Sequence, residues 1–539
     1  MKRYITIFLI VLGICGMQSC SHFDDLNRNR YMVGETSPAT FIQTITFRTQ
    51  SKMLSASYSL TSQLMQYAIT KSTLESQTRV YNYETTISQA STFWDLYTQK
   101  GNAESMLAEA RKAGDAGLEA VALVLRTYVM QILTDVYGDV PYFRAGLMPV
   151  EPENIEVNIK YDSQKEIYTD MLLTLEKANA LFKKASNFDS VFDNTYGGNV
   201  ASWRKLGNTL YLRLLMRMSL KVIEDDGGMI DLGDDYGSFD VREKIYDLYN
   251  AYVSNNTNYY PMLQIADDRP WVYYDSKNTA YYTPFQNQSS IVFGQIKACK
   301  TLVDVMVPRD DEGNIIIIDP RYRYYFSDSY VGVQAQMELT DVDDFLAANN
   351  VASYAASSTY GNLKTPSRYP FMNYSEPLFI FAEACAREWI PGGTPKAREL
   401  FLKACEASME EWNPDDKSPK GVATREDFLE YLDKQFVESD NPLEEIMRQK
   451  WVASFWNGVE AWSDYRRTGY PILKTNGPAA MNNKILCTRM MYPYTEPYQN
   501  GKCYSEAVNG WLGGSDDMVT DVWFASTSES KSIRRKGRQ

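Results

Sequence analysis

A chain of 539 residues with 44% hydrophobic content has ample material for one or two large cores. Its net charge of −13 excludes the basic footprint that nucleic-acid phosphates require. The one histidine, His22, removes serine–histidine and cysteine–histidine catalysis and most zinc sites, and no Walker A loop or dinucleotide glycine motif is present.

Residues 1–19 read as an export signal. Lys2 and Arg3 give a basic start, and Tyr4 to Met17 is apolar but shorter than the about 18 residues a membrane-spanning helix needs. The run ends at Ser19-Cys20, which resembles a bacterial lipoprotein box, so Cys20 is the expected lipidation site. No later segment offers about 18 or more consecutive apolar residues, which implies a soluble body held by acyl chains. Beyond Cys15 and Cys20, five cysteines remain: Cys299, Cys385, Cys405, Cys487 and Cys503. The number is odd, so at least one thiol has no partner within the chain. Cys487 and Cys503, in the loop-rich end of an exported protein, are the pair best placed for a bridge.

The first half is helical. Phe41 to Thr70 reads as one long amphipathic helix. Val121, Leu125, Tyr128, Ile132 and Val136 form a stripe in the next, and Leu206, Leu210, Leu214 and Met218 in another. Met171 to Ala185 and Val241 to Val253 are further helices, and short connections predict antiparallel hairpins. No clean repeat of about 34 residues is present, so any tetratricopeptide-like units are degenerate. Asp225 through Asp235 is an acidic loop with the oxygen ligands calcium takes, but without EF-hand spacing; a solvated loop and no cofactor are expected.

From about residue 255 to 374 the helical period is lost, and tyrosine, proline, glycine and asparagine dominate. Asn314 to Pro320 predicts a strand. Asp268, Arg269, Trp271, Tyr273 and Tyr274 place rings and charges on one loop, followed by Tyr281, Tyr282 and Phe285. Arg79, Tyr81 and Tyr83 form a second such cluster. Sugar rings stack their apolar faces on aromatic rings while their hydroxyls take charged or amide partners, so these eight residues from the two clusters are the ligand-binding candidates. The competing reading for each ring is scaffold packing, which Tyr322, Tyr324, Tyr325, Phe326 and Trp94 suit better.

Helical pattern returns at Ser375, Pro395 to Met409 and Arg425 to Phe436. At Asn441-Pro442-Leu443-Glu444 a cap, a first-turn proline and a capping-box acid open another helix. Asn457-Gly458 is expected to end it, leaving Arg466 and Arg467 on a turn, salt-bridged as scaffold.

The segment NPLEEIMRQKWVASFWNGVEAWSDYRRTGYP resembles the C-terminal signature of the SusD/RagB family, surface nutrient-binding lipoproteins of Bacteroidota. Five other stretches resemble the family in the same order: Asp25-Leu26-Asn27 as its mature start, LTDVYGDVPY from Leu133, Trp203 to Leu210 with Arg213 and Arg217, Glu376 to Glu383, and Thr488 to Pro493. Ser21 to Asp25 resembles the family's acidic export tag. The resemblance implies a mainly α, SusD-like helical fold with degenerate tetratricopeptide-like hairpins and an irregular, ligand-binding region with short strands. It divides the chain into a scaffold at 38–254 and 375–471, a binding region at 255–374, and one domain over 20–525. Residues 526–539 depart from the family and are expected to be a disordered tail. It also implies no enzyme activity, an outer-membrane location facing the cell exterior, an oligosaccharide or peptide ligand, and a SusC-like TonB-dependent barrel as partner. A structural lid without a ligand is the third reading.

Overall fold

The computed structural model describes residues 37–70, 80–83, 85–147, 150, 153, 158–284, 296–327, 329–353, 357–358, 361–362 and 368–539. Cys20, Arg79, Phe285 and the signal segment lie outside the described residues.

The principal helices of the first half are α1 (Thr40–Ala56), α2 (Tyr97–Ala113), α3 (Ala116–Tyr137), α4 (Gln164–Phe182), α5 (Val200–Asp226) and α6 (Val241–Val253). The second half supplies α7 (Ser375–Ala386), α8 (Gly393–Trp412), α9 (Arg425–Glu438), α10 (Pro442–Ala453), α11 (Gly458–Thr468) and α12 (Ser528–Lys536). Consecutive helices pack as hairpins, α2 on α3, α3 on α4, α4 on α5 and α7 on α8, giving a mainly α fold as expected. Side chains start these helices where the sequence offers an acceptor. Asp115 accepts from the Leu118 amide at 2.9 Å, and Ser163 and Glu166 form a reciprocal capping box. α3 is long and apolar enough to cross a membrane by length and composition, yet 83% of its most apolar stretch is buried inside the protein.

The long helix expected at Phe41–Thr70 forms as far as Leu64, with a π turn inside it. α1 ends at Ala56, the π turn spans Ser57–Thr61, an α turn covers Ser62–Leu64, and the chain leaves as a strand at Ala68–Thr70 paired with Ile296–Ala298. The cause is tertiary. The Ser57 hydroxyl donates to the Trp456 carbonyl at 3.0 Å and accepts from the Gly458 amide at 3.2 Å. A β-carbon at Gly458 would lie 2.2 Å from the Thr61 hydroxyl, so the two backbones meet only because that side chain is missing. Nor does Asn457-Gly458 end a helix: α10 stops at Ala453, and Gly458 opens α11, which carries Arg466 and Arg467 in helix rather than on a turn.

In the irregular middle, Trp271–Tyr273 pairs antiparallel with Arg368–Pro370. The strand expected at Asn314–Pro320 does not form. Ile315 and Ile316 are exposed, and only an isolated bridge from Arg309 to Ile315 marks the segment, which has no sheet to join. Cys487 and Cys503 are buried, separate thiols, not a bridge.

The tail expected to be disordered folds as α12. Thr527 caps it, Ile533 joins a small apolar cluster with Met447 and Tyr470, and the buried Arg534 pairs with Asp521 at 2.7 Å. The acidic loop is likewise occupied by local contacts: Asp226 pairs with Lys165 and Asp225 with Lys221, both at 2.8 Å.

Candidate ligand-binding site

The motif residues build a buried, charged core. Arg213 on α5 forks onto Glu376 of α7 with two bonds of 2.6 Å and reaches Glu460 of α11 at 3.2 Å. Arg217, one turn on, bonds Asp135 of α3 at 2.6 Å and also Glu460. Arg467 forks onto Glu383 at 2.6 and 2.7 Å and takes Asp464 at 2.9 Å, whose other oxygen meets Lys450 at 2.8 Å. Arg466 finds backbone partners instead, including the Thr488 carbonyl at 3.0 Å, with its guanidinium 3.8 Å from the Trp462 ring centre.

The carboxylates Asp135, Glu376 and Glu460 thus meet Arg213 and Arg217, and Glu383 and Asp464 meet Arg467 and Lys450, in two buried groups with Arg466 beside them. Burial pushes the Glu383 carboxyl up, but Arg467 and Arg387 outweigh it and hold it down at about 2. Burial lowers Arg466 to about 9. Such pairing satisfies charges that would be prohibitive alone. The expectation that the arginine pair is salt-bridged therefore holds for Arg467, while Arg466 is held chiefly by carbonyls and an aromatic face.

The YGDVPY turn is also structural. Gly138 has φ +87, and a β-carbon there would lie 2.5 Å from the Trp511 ring. Asp139 accepts from the Gln164 amide at 2.9 Å.

The sequence candidates separate on one physical criterion, exposure. Tyr81 lies in a small apolar cluster with Ile69, Val333, Val342 and Val351. Tyr83 is fully buried, and its hydroxyl accepts from Gln66 at 3.0 Å and Gln336 at 2.9 Å. Asp268 turns inward to Lys205 at 2.6 Å and to the Gln264 amide at 2.9 Å. Arg269 donates to the Ala266 carbonyl at 3.1 Å and to that of Glu411 at 3.3 Å. These four side chains are committed to protein contacts, as the scaffold reading has it.

Trp271 and Tyr274 are buried as well. The Trp271 ring is 8% exposed and carries two guanidiniums, Arg269 at 4.3 Å and Arg368 at 4.1 Å from its centre. Tyr274 packs against Phe47 at 5.2 Å and Tyr369 at 6.0 Å, and Phe47 also meets Tyr281 at 5.1 Å. Burial raises the Tyr274 hydroxyl well above its ordinary range, which keeps it neutral. Tyr273 differs: at the end of the strand its ring is 40% exposed, opposite Arg368 in the register. Tyr273 and Arg368 therefore stand side by side on a paired strand backed by a layer of rings.

Arg368 escaped the sequence reading because nothing local connects it to Tyr273; only the strand register joins them. Two concave features lie nearby in the fold. A cleft of about 60 Å³ between α1, the Tyr369–Asn373 segment and Trp456 reaches down to Glu376, Glu460 and Asp464. Its volume suits a few water molecules, not a sugar ring. A wider groove of about 680 Å³ runs between α6 and α8, with Tyr252, Ile265, Tyr374, Glu399 and Glu410 on its walls. Among the described residues no group of three histidine, cysteine, aspartate or glutamate side chains is placed to hold a metal.

Paired helices beneath a strand pair backed by packed rings make a mainly helical scaffold with an irregular surface. The chain belongs to the SusD-like family, described as starch-binding and associating with the outer membrane, whose model matches residues 29–493. Similar solved structures include a chitin-binding protein at 22% identity and TM-score 0.71, with 91% of this chain and 100% of that one covered. A SusD homolog from Bacteroides fragilis matches at 22% identity and TM-score 0.69, covering 91% and 100%. A chitin-binding SusD homolog from Flavobacterium johnsoniae matches at 22% identity and TM-score 0.69, covering 91% and 99%. None of the curated proteins matches the chain.

Proposed function

We propose that this protein is a cell-surface lipoprotein, held in the outer membrane through acylated Cys20. It captures an oligosaccharide on the Tyr273 face and delivers it to a SusC-like TonB-dependent barrel. It binds its ligand without transforming it and without a cofactor. Family membership supports the outer-membrane and nutrient-binding part, and two structurally similar proteins are described as chitin-binding.

The observation that carries the glycan reading is the exposed Tyr273 ring beside Arg368. A ring offers an apolar plane to a pyranose face, and a guanidinium offers several donors to its hydroxyls. The paired strand and the rings beneath fix that geometry before a ligand arrives, which lowers the ordering cost of binding. The buried candidates Trp271, Tyr274, Asp268 and Arg269 then act by holding Tyr273 in place, while Arg79 belongs to the proposal without a described position.

Calorimetry against starch and chitin oligosaccharides and a peptide panel tests the ligand class. Saturable heat with a glycan and none with peptides is expected; peptide binding alone would replace the glycan reading with the peptide one. Binding of neither would leave the structural lid. Co-purification with an outer-membrane barrel tests delivery, and its absence from detergent extracts of the native membrane would sink that step.

A further inference from the structure

The C-terminal segment that departs from the family has a surface of its own. Lys531, Arg534, Arg535 and Arg538 fall at i, i+3, i+4 and i+7, the spacing an amphipathic helix normally gives to apolar side chains. Here the four cations line one wall of a pocket of about 200 Å³, closed on the other side by Val519 and Asp521.

The charges in this pocket do not balance. Asp521 is the one carboxylate on its walls, and its oxygens already face Arg534 at 2.7 Å and Lys531 at 3.8 Å. Arg534 is buried at the base, with its remaining donors on the Ser530 and Ala525 carbonyls at 3.4 and 3.1 Å. Arg535 and Arg538 are exposed, and among the described residues no ion pair reaches either. Four cations against one carboxylate is an unusual concentration in a chain of net charge −13. The end of a helix favours cations. That explains their sign, but not why four of them converge on one concave wall, where like charges three and four residues apart repel.

We propose that this pocket binds a tetrahedral oxyanion, a phosphate or sulfate group, free or as an ester on a larger molecule. Guanidinium forks match two oxygens of such a group at once. The pocket is smaller than the roughly 300–1,000 Å³ that encloses a whole ligand, so it takes the charged group and leaves the rest of its carrier outside. The site is independent of the Tyr273 face.

The test is calorimetry of the full chain with sodium sulfate and with inorganic phosphate, at ionic strength fixed by sodium chloride. Saturable binding at one site is expected. The Arg535→Ala/Arg538→Ala variant should weaken it about tenfold or more, the loss expected for charged hydrogen bonds. Both residues are exposed, and an unchanged melting temperature will show that the variant folds. Arg535→Lys/Arg538→Lys keeps the charge but loses the forks and should also weaken binding. Val519→Trp should block the pocket with every cation in place. Sedimentation with phosphatidylcholine vesicles, with and without phosphatidic acid, identifies the source. Pelleting that needs phosphatidic acid and fails in the same variants assigns a lipid phosphate; no pelleting alongside intact anion binding assigns a soluble anion or ester. The absence of saturable heat with either anion, or equal affinity in the double alanine variant, would overturn the proposal and leave the cations as complements to the helix end.

Discussion

The core around Arg467 and the face around Tyr273 use the same residue types in opposite ways. In the core, arginines and carboxylates from α3, α5, α7 and α11 are withdrawn from water and matched to each other. On the face, rings are packed in layers, and one tyrosine and one arginine at the top stay in solvent. The motifs that carry the family resemblance map almost entirely to the first region: Asp135, Arg213, Arg217, Glu376, Glu383, Asp464, Arg466 and Arg467 all lie in it. A buried charge tolerates little substitution, because losing one partner strands the other. An exposed ring is free to change with the ligand. On the proposed binding face, family identity and ligand specificity would therefore reside in different parts of the molecule.

Removing one core charge is the strongest test of that contrast. Arg467→Met leaves Glu383 with Arg387 alone and Asp464 with Lys450 alone, both buried. The expected loss is about 3–5 kcal/mol, read from the denaturant midpoint. A midpoint within about 0.5 kcal/mol of the parent would mean that the core charges are not what holds α7 to α11.

The sequence made some of this visible and hid the rest for physical reasons. Helices α3, α4, α5 and α6 follow from apolar period and caps, and the YGDVPY turn from Gly138, Asp139 and Pro141. That Arg466 and Arg467 anchor scaffold was legible from their adjacency. Their partners were not: the Glu383 carboxylate that Arg467 meets and the Asp135 carbonyl that Arg466 meets lie far away in sequence, and no local pattern encodes either contact. The π turn in the first long helix was hidden similarly, since the partners of the Ser57 hydroxyl, Trp456 and Gly458, lie far along the chain. The α12 helix did carry local signals, a threonine cap, Glu529 in the first turn and cations in the last, but composition outweighed them. On the face, Trp271 and Tyr273 share one side of the strand, and tertiary cover separates them: Arg269 and Arg368 lie over the Trp271 ring, while Tyr273 stays exposed. No local pattern encodes that cover, so a loop reading gives all three rings equal standing.

Two carboxylates give the contrast a pH dependence of opposite sign. Glu383 is held at about 2, below its ordinary 4.5, so its contribution is complete above about pH 4.5 and lost as pH falls toward 2. Glu411 lies close to the strand pair, bonded to Ser375, and burial raises it to about 7 against the partial offset of Arg269. Its folded form keeps a proton that the unfolded form has released, so its contribution is present below about pH 4.5 and lost as pH rises to 7. Each swing is on the order of 3 kcal/mol. Chemical denaturation across pH should show Glu411→Gln flattening the loss between pH 4.5 and 7 while leaving the acid limb unchanged. An unaltered slope on the neutral side would mean that Glu411 is already ionised in the folded protein.

The smallest effect discriminates best, because it concerns binding without stability. Tyr273→Ala removes an exposed ring, so folding should change by less than about 0.5 kcal/mol. If the ring stacks on a sugar in the bound state, affinity should fall by about 1–2 kcal/mol in calorimetry with whichever glycan the panel selects. Trp271→Ala provides the contrast on the same strand. Its ring is buried beneath two guanidiniums, so its loss should cost stability first, and binding only as the strand loosens. If instead Trp271→Ala abolished binding at unchanged stability while Tyr273→Ala did nothing, the buried ring would have to become exposed when ligand binds. The face would then be a surface that opens on its ligand, and the division between a fixed interior and an adaptable exterior would fail at this strand.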